Sequence, residues 1–366
     1  MAITKIPAAG FTGNNFRNII INGDMSIAQR ATSVTGITGG GYKTVDRFPL
    51  NLDLGTWTQS QSTDVPTGQG FAKSFKMDCT TANASPSAAI LAAVRTKIEG
   101  QNLQYLKKGT SSAESTTLSF WVKSNKTGTY ICELIDNDNS RQISQAYTIS
   151  SASTWEKKTI TFDGDTTGAF GNDNGASLEL HFWLGAGSNY TSGTLSTTWT
   201  SITTANRAVG QVNLADSTSN EWYVTGVQLE AGTAASDFEF LPHDVNLDRC
   251  ERYFKIVLRS TGGDTTICNG AMYDGSQFFG TFEIGKGMRA IPTMSATSGT
   301  NFYGVVGNSA TYSFNSLTFG GISNAGTSKC RIYVNSVSGK SQGHAVWIRF
   351  KDASSTADFI SASSEL

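Results

Sequence analysis

The sequence predicts an all-β protein made of a large jelly-roll-like β-sandwich, a short helix and a second, smaller β-sandwich. Charged residues are only 16% of the chain and Gly is frequent (38), a composition that favours short strands and tight turns over a helical bundle. Segments of period-2 alternation recur at the spacing typical of a sandwich. A length of 366 residues also suits two domains better than one.

The segment 221–230 is the clearest predicted strand, and we expect it to close the large sandwich. Apolar and polar residues alternate in it, as in a half-buried strand, and Gly226 shifts the phase between its two halves as a β-bulge would. The predicted core set is Trp222, Val224, Val227 and Leu229, and the polar set between them is Thr225, Gln228 and Glu230.

Eight further strands are predicted upstream of this one. In the strands 117–123 and 178–184, Trp121 and Trp183 fall on the face opposite the aliphatic residues. Both rings are therefore expected to point away from the sandwich core. The remaining six predicted strands are 57–61, 70–79, 89–98, 129–135, 142–149 and 156–162.

The large sandwich is predicted over residues 16–243, after an N-terminal arm. Residues 1–15 are small, polar and aperiodic, so we expect an anchoring arm that becomes ordered only against a partner. Apolar residues meeting Asn22-Gly23 predict a strand over 18–24 that enters a turn. A second short strand is predicted over 42–48, and one or two helical turns over 99–106.

A helical junction is predicted over 244–253 and a C-terminal β-sandwich over 254–366. Asp244 can cap the helix, and Arg249 and Arg252 lie near its end, where cations are favourable. An extended joint is predicted at 288–293, and the small, polar end 354–366 is given no strand. The predicted strands of this domain are 253–258, 266–272, 277–284, 301–306, 311–314, 331–337 and 344–350.

Composition also excludes several functions. The net charge of −1 gives no general attraction to nucleic acid, and no apolar run is long enough to insert into a membrane. The first seven residues lack the apolar core of a signal peptide. The five cysteines are widely spaced, which predicts buried free thiols in a protein made in a reducing cytoplasm.

Several segments, taken in order, resemble structural proteins of tailed bacteriophages, often described as tail fibre or virion structural proteins. The resemblance covers roughly residues 16–255, and residues 1–10 are similar to the start of many fibre proteins. The segments that carry the resemblance are 18–25 with Gln29-Arg30, 42–48, 119–124, 154–158, 224–232 leading to 237–239, and 250–254.

This resemblance implies a virion protein made in the host bacterial cytoplasm and assembled on the particle surface. The arm would dock to other virion proteins, the chains would form a homotrimer, and the distal surface would meet host glycans. The strand ends also resemble carbohydrate-binding modules of the galactose-binding jelly-roll type, many of which hold a structural calcium. Asn22, Asp24 and Glu230 are the oxygen donors in matching places, although calcium needs six to eight oxygens and turn capping is the alternative role.

Aromatic residues are the strongest indication of a ligand. A sugar ring has an apolar C–H face, which an exposed aromatic ring can cover with little loss of side-chain entropy. Catalytic motifs give no comparable signal, since G-x-S-x-G and H-E-x-x-H are both absent. The candidate glycan-binding residues are Trp121, Trp183, Tyr190, Trp199 and Arg207, of which the last three lie in a long predicted loop, 185–215. Burial in the core or an interface is the alternative for each of these rings.

The predicted function is therefore host attachment by glycan binding, without enzymatic activity. One alternative is a capsid decoration or structural fibre protein that has no specific ligand. A less favoured alternative is a glycan depolymerase, for which the neighbouring carboxylates Asp163 with Asp165, or Glu133 with Asp136, would be the candidates.

Overall fold

The computed structural model describes residues 16–260, 265–307, 310–320, 328–351 and 358–366. The chain divides into two compact units, Met1–Asn246 and Leu247–Leu366. The boundary lies inside a helix, His243–Glu251, which confirms the predicted short helix. The predicted fold class is also confirmed, because the chain is almost entirely β and forms a jelly-roll-like sandwich followed by a smaller one. The N-terminal arm, residues 1–15, lies outside the described residues.

The N-terminal unit contains twelve described strands. They are β1 Ser33–Ile37, β2 Leu50–Leu52, β3 Thr56–Ser62, β4 Ser74–Thr81, β5 Leu91–Glu99, β6 Thr116–Ser124, β7 Gly128–Asp136, β8 Arg141–Ile149, β9 Glu156–Phe162, β10 Ala176–Ala186, β11 Thr200–Ser201 and β12 Glu221–Ala231.

These strands form a sandwich of two six-stranded sheets. The first sheet has the strand order β1-β3-β4-β12-β6-β9, and the second has the order β11-β8-β7-β10-β5-β2. The strand pairs in both sheets are antiparallel. Strand β12 lies at the centre of the first sheet, between β4 and β6, as expected for the strand that closes the sandwich.

Alternation along these strands places one face of each sheet in a shared core. In β10, the even-numbered residues from Leu178 to Leu184 are buried in that core, and Glu179, His181 and Trp183 point to the other face. In β12, the four predicted core residues are fully buried. A register shift between Thr225 and Gln228 confirms the predicted bulge at Gly226.

The polar face of β12 is buried as well, which corrects the prediction of a half-buried strand. Thr225 and Gln228 are fully buried, and Glu230 is nearly so. The segments that precede the first strand and follow β12 pack against this strand and bury its polar residues. The local sequence pattern does not reveal this burial. The N–H of Ile19 donates to the Leu229 carbonyl at 2.9 Å, and the N–H of Glu239 donates to Gln228 Oε1 at 2.8 Å.

Two predicted strands near the N-terminus are wrong. Residues 18–24 and 42–48 are mostly buried but form turns and irregular backbone. Asn22 has φ +62° and Arg47 has φ +70°, and these left-handed conformations interrupt an extended strand. Instead, strands form at β1 and β2, which the sequence pattern does not predict. The predicted helical stretch 99–106 contains two single turns, Gly100–Asn102 and Gln104–Leu106.

A long segment, residues 187–213, covers part of the outer face of the second sheet, and we call it the covering loop. It begins with a single helical turn, Ser188–Thr191. It is tied to β8 by hydrogen bonds from Ser144 Oγ to the Arg207 carbonyl (2.9 Å) and from Gln142 Nε2 to Ser196 Oγ (2.8 Å). The face beneath it is therefore closed to solvent.

The C-terminal unit is also a sandwich. Its described strands are β13 Phe254–Arg259, β14 Thr266–Met272, β15 Phe278–Glu283, β16 Thr293–Ala296, β17 Tyr303–Gly307, β18 Ala310–Phe314, β19 Thr318–Gly320, β20 Lys329–Val334, β21 Ala345–Phe350 and β22 Phe359–Ser363. A three-stranded sheet has the order β13-β22-β16, and a seven-stranded sheet has the order β18-β17-β21-β14-β15-β20-β19. Side chains from both sheets share one core.

Three of these strands, β16, β19 and β22, are absent from the sequence prediction. Strand β22 lies in the small, polar end that is given no strand, yet Ile360 and Ala362 are fully buried between its two neighbours. Elsewhere in the described part of the chain, all five cysteines are buried free thiols, as predicted. No helix among the described residues is long and apolar enough to cross a bilayer.

Candidate functional site

An open groove of about 340 Å³ lies on the outer face of the first sheet of the N-terminal unit. Strands β6, β9 and β12 supply one side of the groove. The loop before β4 and the segment after β12 supply the other. The lining residues are Gly68, Gln69, Phe71, Ser119, Trp121, Lys157, Gly226, Asp237, Phe238 and Phe240.

Two glycines with positive φ let aromatic rings pack directly on the backbone of the groove. Gly226 has φ +63°, and a Cβ at this position would lie 2.6 Å from Cζ of Phe71. Gly70 has φ +83°, and a Cβ there would approach the ring of Phe240 at 3.2 Å. The bulge in β12 therefore has a second role, because it leaves the space that the Phe71 ring fills.

Phe71, Phe238 and Phe240 form an aromatic cluster along the groove. Their ring centroids lie 5.1, 5.1 and 4.8 Å apart in tilted or edge-on arrangements. Phe71 is buried, whereas Phe240 exposes 50% of its surface. Trp121 is also partly exposed, and it pairs across the strands with Lys157. The groove thus offers apolar rings to solvent at two places.

Polar side chains with unused hydrogen-bonding groups surround these rings. Gln69, Lys157 and Asp237 are exposed, and their side chains form no hydrogen bond or ion pair with the residues that the structure describes. Ser119 adds a hydroxyl at the base of the groove. Apolar rings beside free amide, ammonium, carboxylate and hydroxyl groups can bind a ligand that has both a C–H face and hydroxyls.

Of the predicted glycan-binding residues, the structure places Trp121 in this groove and Trp183 elsewhere. Trp183 is fully buried, so the prediction of an outward ring exposed to a ligand is wrong. The ring does point away from the main core, but the covering loop lies over it. Its Nε1 donates a hydrogen bond of 3.0 Å to Glu133 Oε2.

Tyr190 and Arg207 belong to the same covered cluster as Trp183. The guanidinium of Arg207 donates two hydrogen bonds to Glu133, at 2.9 and 3.0 Å, and lies 5.1 Å from the Trp183 ring. The ring of Tyr190 lies 5.4 Å from that of Trp183. These contacts hold the covering loop on the sheet, and the hydrogen bonds to Glu133 engage the Trp183 indole N–H and the Arg207 guanidinium.

Trp199 lies apart from both the groove and the covered cluster. Its Nε1 donates to the Asp163 carbonyl at 2.7 Å, and Lys108 Nζ lies 5.5 Å from its ring. The five predicted residues therefore do not form one surface.

Three groove residues, Phe71, Phe238 and Phe240, are not among the predicted ones. Phe71 falls in a predicted strand, where an aromatic ring is ordinary, and its role depends on the space above Gly226. Phe238 and Phe240 could have been noticed in the sequence as two aromatic residues separated by one position. They lie in the segment between Gly232 and Pro242, which follows the closing strand.

The calcium prediction does not fit the donors around Asn22, Asp24 and Glu230. Asn22 donates from Nδ2 to the carbonyls of Ile27 and Asp46, both at 2.9 Å, and its Oδ1 accepts from the Ile27 N–H. Asp24 accepts from Ser26 and from Asn246 Nδ2.

Glu230 is also engaged by protein donors. It accepts from the N–H of Ser236 at 2.8 Å, from Ser236 Oγ at 2.6 Å and from Gln228 Nε2 at 2.9 Å. Among the described residues there is no group of three or more His, Cys, Asp or Glu side chains that could hold a metal ion. The three predicted ligands fix turns and strand ends, which is the alternative role.

Three of the four carboxylates considered for glycan cleavage are buried in ion pairs. Glu133 is paired with Arg207, and Asp136 Oδ2 lies 2.5 Å from Lys108 Nζ. Asp165 accepts two hydrogen bonds from Arg141, at 2.6 and 3.0 Å. Burial alone would raise the pKa of Asp165, but the hydrogen bonds from Arg141 and Lys108 lower it. Neither predicted pair lines the groove.

A second buried network lies on the same sheet face as Trp183. Glu179 Oε2 is 2.9 Å from His181 Nε2, and its carboxylate lies 3.5 Å from Arg95 and 3.6 Å from Lys97. Burial alone would raise the pKa of Glu179, but the hydrogen bond from His181 and the nearby positive charges of Lys97 and Arg95 lower it to about 2. Cationic groups therefore compensate both the Glu133 and the Glu179 carboxylates on this face.

The fold of the N-terminal unit defines the protein as a jelly-roll β-sandwich with an open aromatic groove. No family model matches the chain, and no curated protein matches its sequence. One similar solved structure is the enzymatically active domain of tailspike protein 4 of bacteriophage CBA120, with 15% identity and a TM-score of 0.32. The match covers 59% of this chain and 22% of that chain, so it spans much less than two thirds of the tailspike domain.

Two other similar structures are covered almost completely by this chain. A putative sugar-binding protein from Bacteroides thetaiotaomicron has 10% identity and a TM-score of 0.30, and the match covers 58% of this chain and 99% of that one. The family 11 carbohydrate-binding module of a Clostridium thermocellum cellulosomal cellulase has 11% identity and a TM-score of 0.27, with 59% and 96% covered.

Proposed function

We propose that this protein is a surface protein of a bacteriophage virion, a tail fibre or similar fibre, that attaches to the host by binding glycans in the groove. The observation that carries the proposal is the combination of half-exposed Phe240 and partly exposed Trp121 with the unpaired side chains of Gln69, Lys157 and Asp237 among the described residues. The rings cover the C–H face of a sugar, and the polar groups bind its hydroxyls.

The ordered segments that resemble tail-fibre and virion structural proteins support the location on a phage particle. A single groove of this size binds a sugar weakly, so attachment benefits when many copies act together on one particle. A homotrimer docked to other virion proteins through residues 1–15 is the assembly that the resemblance implies. The proposed role involves no catalytic step, no nucleic-acid partner and no membrane insertion.

The proposal is tested by glycan-array binding with the purified full-length chain and two variants, Trp121→Ala and Phe240→Ala. We expect each variant to bind its glycan about tenfold more weakly, because a stacked ring contributes roughly 1 kcal/mol or more. The matched control is Tyr105→Ala. Tyr105 exposes 46% of its surface, close to the value for Phe240, but it does not line the groove.

The same experiment separates the alternatives. Equal loss with Tyr105→Ala, or unchanged binding by both groove variants, would reject the groove as the glycan site. A wild-type chain that binds no host-surface glycan, while Phe240→Ala disrupts particle assembly, would favour the decoration protein without a specific ligand. Release of new reducing ends from a bound glycan would favour the depolymerase.

A further inference from the structure

The outer face of the seven-stranded sheet in the C-terminal unit carries a second group of exposed rings. Strand alternation buries Phe278 and Phe282 of β15 and Ile332 of β20, so their neighbours point outward. The ring of Tyr273, which is 62% exposed, lies 4.9 Å from that of Phe279. We call Tyr273, Phe279, Arg331 and Tyr333 the aromatic face.

Arg331 lies among these rings with its hydrogen-bonding groups unused. Its guanidinium carbon is 5.1 Å from the Phe279 ring and 5.9 Å from the Tyr333 ring. Its side chain forms no hydrogen bond or ion pair with any residue in the described part of the chain. Because the guanidinium packs against two rings, its orientation is restricted before any ligand arrives.

Gly320 gives Arg331 the room that this position requires. A Cβ at residue 320 would lie 2.7 Å from Nε of Arg331 and 3.1 Å from the Tyr333 ring. The residue opposite Arg331 on β15 is Thr281, which is exposed and carries a hydroxyl. Lys329, two residues before Arg331 on the same face, is already paired with Glu283 at 3.1 Å. Of the two cations Lys329 and Arg331 on this face of β20, Arg331 is therefore the one that has no anionic partner among the described residues.

We propose that the aromatic face binds a saccharide that carries a carboxylate, such as a uronic acid or a nonulosonic acid. The planar guanidinium fork matches a carboxylate in a bidentate geometry, and Tyr273 can cover the C–H face of the same or the next sugar. A carboxylate brings one negative charge, which matches the charge of Arg331, whereas a phosphate monoester brings nearly two. This site is separate from the groove and does not depend on the function proposed for it.

The test is an NMR titration of the full-length chain with trigalacturonate and sialyllactose, each compared with its own methyl ester. The ester keeps the sugar and removes only the charge. We expect at least one acid to bind, and its ester to bind about tenfold more weakly, which is the size of a charge-assisted bidentate pair. Arg331→Lys keeps the charge but loses the fork and the stacking, so it should weaken binding of the acid to a similar extent.

Lys329→Gln is the matched control, since it removes a positive charge on the same face of the same strand. It should leave binding nearly unchanged. Weakening by Lys329→Gln together with unchanged binding by Arg331→Lys would mean general electrostatic attraction, and it would overturn the proposal. Equal binding of acid and ester, or no binding of either acid at millimolar concentration, would also overturn it. Trp121→Ala, which alters only the groove, should bind the acid as the wild type does. A failed test of the aromatic face can therefore be distinguished from a failed test of the groove.

Discussion

Replacing Gly226 by Ala should damage both the stability of the N-terminal unit and the groove. The φ of +63° costs an alanine about 1 kcal/mol relative to glycine. The new methyl group would also lie 2.6, 3.1 and 3.2 Å from three carbons of the buried Phe71 ring. Overpacking of this kind costs about 1–3 kcal/mol, so the total loss should be about 2–4 kcal/mol.

Gly36→Ala is the matched control for backbone strain. Gly36 also sits at an irregular strand position with φ +67°, but a Cβ there would meet no atom within 4 Å, so about 1 kcal/mol should be lost. Urea unfolding followed by tryptophan fluorescence measures both variants. Of the seven Trp residues, only Trp347 lies in the C-terminal unit, so the signal reports mainly on the N-terminal one.

A double-mutant cycle identifies the ring as the cause. Removing the Phe71 ring in the Gly226→Ala background should relieve the clash, so the double variant should be less destabilised than the sum of the single variants by about 1 kcal/mol or more. Strict additivity, or equal destabilisation by Gly226→Ala and Gly36→Ala, would refute the reasoning. Because Phe71 supports Phe240, Gly226→Ala should also weaken glycan binding.

Three further predictions concern the charged and polar groups of the N-terminal unit. Glu179 has a folded-state pKa of about 2, below the ordinary value of 4.5, so its contribution is present above pH 4.5 and lost as the pH falls towards 2. The wild type should exceed Glu179→Gln by up to about 3 kcal/mol at neutral pH, and urea midpoints measured between pH 7 and 2 should converge at the acid end; a constant gap would contradict this. Asn22→Ala should lose about 2–4 kcal/mol because it leaves buried backbone groups of Ile27 and Asp46 unpaired. Adding EDTA should leave the thermal midpoint of the wild type unchanged, and a lower midpoint in EDTA would show that a metal ion stabilises the fold.

Local patterns are sufficient to predict most of the strands. Alternation in 178–184 and 221–230 depends only on neighbouring residues, and both segments are strands with the predicted core faces. The strand β22 escapes prediction because its neighbours, not its own composition, make it a strand: Ile360 and Ala362 are buried by two partners distant in sequence. The strand predicted over 18–24 fails for the opposite reason, since apolar residues can also be buried in turns.

The site can be predicted only in part, because exposure depends on distant segments. Trp121 and Trp183 occupy equivalent positions in alternating strands, and the sequence pattern does not distinguish them. The covering loop lies over Trp183 on the second sheet, whereas Trp121 on the first sheet stays partly exposed in the groove. The position of Phe240 depends on the turn after β12 and on the absence of a side chain at Gly70, and neither is visible as a periodic pattern.

The two outer faces of the N-terminal unit differ in whether their polar groups are already used. On the second sheet, Glu133 is satisfied by Arg207 and Glu179 by its cationic neighbours, so a ligand would have to displace strong intramolecular bonds. On the first sheet, Lys157 and Asp237 are exposed and have no partner among the described residues, so a sugar hydroxyl need replace only water. In the C-terminal unit, Lys329 is likewise paired with Glu283, whereas Arg331 has no ion-pair partner among the described residues. A ligand is therefore expected where unused hydrogen-bonding groups lie beside exposed rings, rather than where aromatic residues are most numerous.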